Sequence, residues 1–277
     1  HKNRIGAFHP HSGVIIDFSL LATLSEAHVR NGVAELIKIS TVEHGECFEM
    51  LEKHTEDLIK YKFGFAEGAP EGLREVGQVL AKKCVQKMLE LECPNLLEHD
   101  QNRAIAYGHT WSPVYELTPK PVPLHHGHAI SIDMAFSATW AANEGWITEA
   151  LRDRVHAQFR RAGLSLYHEC FTTEKLHYGT KTIMERRDGD LYAAIPNGQI
   201  GKCRFIMLSD FGSREEMDAS LESALEFHKE LMSTQGGASP AAGATRRSSC
   251  PRGGGARAAP AAPRGTPRRR PRPRSRG

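Results

Sequence analysis

Residues 129–143, AISIDMAFSATWAAN, are apolar on nearly every face of a helix, and this stretch constrains the fold more than any other. A helix with no polar side has to be surrounded, so the rest of the chain must supply elements that each bury one face. Several are legible. Ser25 is placed to cap a helix in which Val33, Leu36, Ile37 and Val42 recur at helical spacing, and Phe48, Leu51 and Leu58 repeat that pattern. Between Leu73 and Leu91, the residues Val76, Val79, Leu80, Cys84, Met88 and Leu91 predict one apolar side, with Pro94 and Asn95 ending the helix. Ala150 to Ala162 predicts a surface helix with Arg and His interspersed, and Arg214 to Met232 a final amphipathic one. The period changes in two places. Gly13-Val14-Ile15-Ile16-Asp17 predicts a short buried strand, and Tyr192 to Leu208 a hairpin turning at Pro196-Asn197-Gly198. The fold class that follows is mostly α.

Composition bounds the rest. With 277 residues and 40% hydrophobic content the chain can build a core. No run approaches eighteen apolar residues, which excludes a helical membrane span. The opening HKNRIGAFHP lacks a signal-peptide pattern and reads as the interior of a domain. From Gln235 onward there are eleven Arg, no Lys and no acidic residue, which leaves 25 basic against 33 acidic side chains in residues 1–234, about −8. Residues 235–277 are Gly, Ala, Pro, Ser and Arg with almost no large apolar side chain, so a disordered tail is predicted. Such a tail attracts nucleic acid by charge alone. A plain solvated extension explains it more simply, so nucleic acid is not an expected partner. Six scattered cysteines with no CxxC pair indicate a reducing compartment, the cytoplasm or a plastid.

Three places concentrate metal-type ligands. In Gly32-Val33-Ala34-Glu35-Leu36-Ile37-Lys38 a carboxylate and an ammonium stand three apart on one helix face, a spacing that by itself describes an ordinary surface pair. Apolar neighbours set Glu35 apart from that pattern. In Tyr107-Gly108-His109-Thr110-Trp111-Ser112-Pro113 a His follows Gly in a short apolar stretch, where a core His bonded to a carbonyl is the competing reading. His125-His126-Gly127-His128 precedes the buried helix, at an N-terminus that disfavours charged imidazoles. One carboxylate and two imidazoles from three elements, with a fourth position open, make a catalytic arrangement suited to zinc or cobalt. Residue type alone does not choose among the clustered histidines. No HExxH, GxSxG, Walker loop or GxGxxG occurs.

Four blocks, KNRIGAFHP, NGVAELIK, AYGHTWSP and HHGHAISIDMAF, resemble in order and spacing the sugar-phosphate cyclases, the superfamily of 3-dehydroquinate synthase. The resemblance runs from Lys2 to about Leu208 and implies a helical, metal-binding C-terminal domain (25–234), preceded by a remnant of an NAD-binding α/β domain (1–24) and followed by the tail (235–277). It implies Glu35, His109 and His126 as metal ligands, His126 rather than His125 because His126 stands directly before Gly. Lys2 and Asn3 match a substrate-contacting pair, Lys38 a substrate-binding lysine, Lys87 a further one, Thr23 a position touching NAD, and Arg187, beside Arg186, a basic site toward substrate phosphate. With His109, Lys38 and Lys87 are the catalytic side chains so implied. NAD, one divalent metal (zinc or cobalt), a sugar-phosphate substrate and a homodimer are the cofactors and partners the family implies.

The departures point to a branch. Dehydroquinate synthases typically carry a second His four residues after the ligand and an Asn three before it; here these places hold Pro113 and Ala106. The Trp-Ser-Pro form and HGHA in place of HGEA look like the 2-epi-5-epi-valiolone and desmethyl-4-deoxygadusol synthases, whose substrate is sedoheptulose 7-phosphate. The family's glycine-rich NAD-binding region falls upstream of Lys2, so a fragment of a longer product, or a chain inactive alone, is expected. The alternatives are dehydroquinate synthase, an iron- or zinc-dependent alcohol dehydrogenase, and a truncated helical module with a basic tail.

Overall fold

A computed structural model describes residues 6, 9, 11–118 and 123–234. Lys2, Asn3 and the tail 235–277 lie outside the described residues. After a 3₁₀ segment at Phe18–Thr23 come α1 (Glu26–Glu43), α2 (Gly45–Lys60), α3 (Leu73–Glu92), the single turn α4 (Ser112–Tyr115), α5 (His126–Asn143), α6 (Glu149–Arg161) and α7 (Thr173–Arg186). The antiparallel strands β1 (Ala193–Asn197) and β2 (Gln199–Ile206) follow, then α8 (Arg214–Thr234). No described helix is long and apolar enough to cross a membrane.

The all-apolar helix is the hub. Every residue of α5 from Ala129 to Ala141 is buried, and α1, α4, α6, α8 and β1 pack around it. Caps start the surrounding helices where the sequence offers them: the Ser25, Thr148 and Thr172 hydroxyls accept the backbone N–H of His28, Leu151 and Lys175. α1 approaches α5 closely at one point, Gly127, where a Cβ would lie 2.7 Å from the Asn31 Cα; the Gly127 N–H donates to Asn31 Oδ1 at 2.8 Å instead. Glu35 is one turn beyond Asn31, and His126 adjoins Gly127, so this crossing brings both toward the same end of the helix pair.

Three expectations need correction, and one helix is new. The run Gly13–Asp17 forms no strand, and Val14, Ile15 and Ile16 are exposed. An apolar run becomes a buried strand only when a neighbouring strand and a covering layer meet it, and the described residues provide neither. The buried seam of α3 is Leu73, Gly77, Leu80 and Cys84, while Val79 faces solvent. Gly77 turns the helix because the Phe63 ring lies where its Cβ would be, at 3.0 Å. α6 is no plain surface helix: Arg152, His156 and Gln158 are buried, with Gln158 Nε2 donating to Thr55 Oγ1 at 2.6 Å. α7 was not foreseen, although the Thr172 cap and the buried spacing of Leu176, Thr180 and Met184 mark it. The hairpin forms where expected, with Ala193 opposite Ile206 and an irregularity at Pro196/Asn197.

Candidate metal centre

Glu35 from α1, His109 from the loop before α4 and His126 from the first turn of α5 converge, with one ligand atom of each within 4.8 Å of the others. His126 Nε2 lies 2.7 Å and His109 Nε2 3.9 Å from Glu35 Oε1. The three side chains are 30–35% exposed, so the cluster opens to the surface.

Each imidazole is oriented from behind. His126 Nδ1–H donates to Glu116 Oε1 at 3.2 Å, and His109 Nδ1–H donates to the Tyr107 carbonyl at 3.2 Å. With its proton on Nδ1, His109 turns an Nε2 lone pair toward Glu35, while His126 meets a carboxylate oxygen at each ring nitrogen. A lone pair 2.7 Å from a carboxylate oxygen calls for a shared positive charge, which a proton or a divalent metal supplies. Burial, with help from nearby Lys38, lowers the His109 pKa to about 4, so this imidazole is neutral near pH 7. Burial pushes the Glu35 carboxyl up, but the His126 bond and Lys38 outweigh it and bring the pKa to about 2. A ready carboxylate beside two imidazoles is the donor set of open zinc sites.

The backbone around His109 is shaped for this. Gly108 adopts φ +78°, and a Cβ there would lie 2.6 Å from Met134 Cγ on α5. Tyr107 Oη donates to the Met134 carbonyl at 3.1 Å, and Trp111, fully buried, donates from Nε1 to Thr180 Oγ1 of α7 at 3.0 Å.

The other expected residues fall in several places. Lys38 is buried and pairs with Glu35 Oε2 at 2.6 Å, beside the cluster. Lys87 pairs with Glu90 of its own helix at 2.7 Å. Arg187 is half-buried, donating to the Leu191 and Tyr192 carbonyls at 2.9 and 3.1 Å. It lines a cavity of about 350 Å³ together with Arg186, Arg103, Pro113, Thr110 and His109. Thr23 is exposed, its hydroxyl donating to the Leu20 carbonyl at 2.8 Å. His125 is exposed at the start of α5 with its ring against His28, and His128 turns to Ser165 at 2.9 Å. The sequence reading missed Glu116 and Arg103, which pairs with Glu98. Glu116, seven residues after His109, carried no signal of its own.

A helical domain built round a buried helix presents one carboxylate and two imidazoles beside an arginine-lined cavity. The chain belongs to the 3-dehydroquinate synthase C-terminal family, whose model matches residues 32–182. It is 50% identical over 230 residues to demethyl-4-deoxygadusol synthase of Trichormus variabilis, covering 83% of this chain and 54% of the relative. It is 36% identical over 226 residues to 2-epi-5-epi-valiolone synthase of Streptomyces hygroscopicus subsp. jinggangensis, covering 82% and 53%. A solved structure of 2-epi-5-epi-valiolone synthase from the latter organism, with NAD+ and Zn2+ bound, is similar at TM-score 0.73 and 34% identity, covering 83% of this chain and 59% of that one. The chain spans about half the length of the curated relatives it matches.

Proposed function

We propose that this chain is the metal- and substrate-binding part of a sugar-phosphate cyclase that acts on sedoheptulose 7-phosphate, with Glu35, His109 and His126 as ligands of one divalent metal. The observation that carries the reading is the convergence of those three side chains beside a cavity lined by Arg103, Arg186 and Arg187. The likeness to demethyl-4-deoxygadusol and 2-epi-5-epi-valiolone synthases supports the branch. A homodimer in the cytoplasm or a plastid belongs to the same reading.

In this reading NAD+ supplies a temporary hydride acceptor and the metal, zinc or cobalt, a Lewis acid at the substrate hydroxyl. The chain's own groups do the rest. Glu116 and the Tyr107 carbonyl hold the two imidazoles with Nε2 toward the site. Lys38 holds the Glu35 carboxylate and adds a cation beside the developing enolate. Arg103, Arg186 and Arg187 form a cationic wall for the substrate phosphate.

Substrate choice rests on what the cavity lacks. Pro113 lines it without charge or donor, and Ala106, buried behind His109, stands where dehydroquinate synthases typically place Asn. Each unmatched polar contact costs roughly 1–3 kcal/mol, so two weaken a carboxylated substrate by about 2–6 kcal/mol. On the protein that contains this chain, kcat/KM for sedoheptulose 7-phosphate is expected to exceed that for the heptulosonate of 3-dehydroquinate synthesis by at least about tenfold. The opposite preference would overturn the branch and return the chain to the dehydroquinate synthases.

A further inference from the structure

Asp133 lies on α5 two turns beyond His126 and has no solvent exposure. A carboxyl group without water needs donors around it, and burial still lifts the Asp133 pKa to about 7 against the bonds that hold it down. Here the donors come from one short stretch of backbone. Oδ2 accepts the Trp111 N–H at 2.5 Å and the Ser112 N–H at 2.7 Å, and the Thr110 N–H, beside them, adds to the field that favours the charged form. The Ser137 hydroxyl reaches Oδ1 at 3.4 Å.

That stretch begins one residue after His109 and opens α4, a single turn too short to hold its own conformation. Its position is imposed by α5. Gly108 lies against the Ile130 carbonyl and Met134, Tyr107 Oη bonds to the Met134 carbonyl, and Asp133 takes the 110–112 backbone. Residues 126, 130, 133 and 134 share one stripe of α5, at spacings of four, seven and eight. One helix therefore carries His126 and also the clamp that sets where His109 stands.

We propose that Asp133 is a positioning residue for the metal centre: its carboxylate pins the 110–112 backbone to α5 and so holds His109 opposite His126 and Glu35. This rests on the metal-centre reading above. A merely structural role would act differently. If Asp133 contributed only to folding, its loss would lower stability without changing metal affinity, because apparent affinity scales with the competent fraction, which stays near one well below the melting temperature.

The test is the zinc dissociation constant of the full chain, read by competition with a chromophoric chelator far below the melting temperature. Loss of an orienting group costs metal sites about 10–100-fold in affinity. Asp133→Ala is expected at the upper end of that range. Asp133→Asn, whose amide oxygen still accepts but lacks the charge, is expected near the lower end. Leu58→Ala, in the core of α2, should melt earlier yet bind zinc as the parent does. Parent-like zinc affinity in Asp133→Ala overturns the proposal, and Asp133→Asn decides in the same way if the alanine variant does not fold. An equal loss in Leu58→Ala overturns it too, since affinity would then follow stability. Parent-like affinity in His126→Ala overturns the metal-centre reading itself, and the role of Asp133 with it. Loss in His126→Ala alone, with parent affinity in both Asp133 variants, removes only the role of Asp133.

Discussion

Two pairs of histidines lie in this helical body at similar ring separations, 5.2 Å for His109 and His126 and 5.7 Å for His156 and His228. Burial lowers His109 and His228 to a pKa of about 4 and His156 to about 3. The difference lies in what each ring faces. His156 Nε2 donates to the Ala135 carbonyl at 2.9 Å, and His228 donates to the Leu166 carbonyl at 3.0 Å while meeting Thr139 Oγ1 at 2.7 Å. Those contacts join α5, α6 and α8 inside the core. In the other pair the Nδ1 atoms take that anchoring part, which leaves both Nε2 atoms on Glu35 and partly open to solvent. Residue type and burial therefore do not separate the two pairs; what does is that one pair turns its second nitrogens to a carboxylate on a partly open side.

The comparison breaks most sharply at His126. His126→Ala is expected to abolish metal uptake, from about one ion per chain to background by elemental analysis. His125→Ala, which changes an exposed ring, should reduce it only modestly. The reverse ranking would mean that the neighbouring histidine is the ligand.

The core pair should show itself in acid. Its folded pKa values lie below the ordinary 6.5, so between pH 6.5 and 4 the unfolded chain takes up protons that the folded chain does not. Stability is then full above that window and falls as pH drops, by about 1.4 kcal/mol per pH unit for each histidine at the steepest. Urea unfolding of His156→Leu at several pH values isolates one of them. Relative to the parent, the variant should gain from pH 7 to pH 4.5, and a constant difference would show that His156 takes up its proton equally in the folded and unfolded chain.

The smallest effect is expected at Lys87. Its ion pair with Glu90 is partly exposed and lies within one helix. Lys87→Ala should change unfolding free energy by less than about 1 kcal/mol and leave zinc affinity unaltered. A tenfold loss of affinity would bring Lys87 into the site.

Much of the helical architecture was legible because its causes are local. The apolar run 129–143, the Ser25 cap and the turn at Pro196-Asn197-Gly198 act over a few residues, and each forms where its own chemistry directs. The run Gly13–Asp17 failed the same reasoning, because a strand depends on neighbours that a local pattern does not contain. The face of α3 was misjudged for a related reason: Phe63, across a turn, selects the seam through Gly77.

The sequence by itself determined which residue types were available near the site, and that Gly108 and Gly127 would flank two of the histidines. Only the tertiary structure decided which nitrogen faces which oxygen. Gly127 admits Asn31 of α1, 96 positions earlier, and Asp133 takes the Trp111 N–H from 22 positions away. Both contacts act between elements whose backbone conformations were already settled locally. Helical periodicity fixes a side chain's direction about its own axis, whereas the crossing of two helices depends on close packing between surfaces distant in sequence, and no local pattern carries that information.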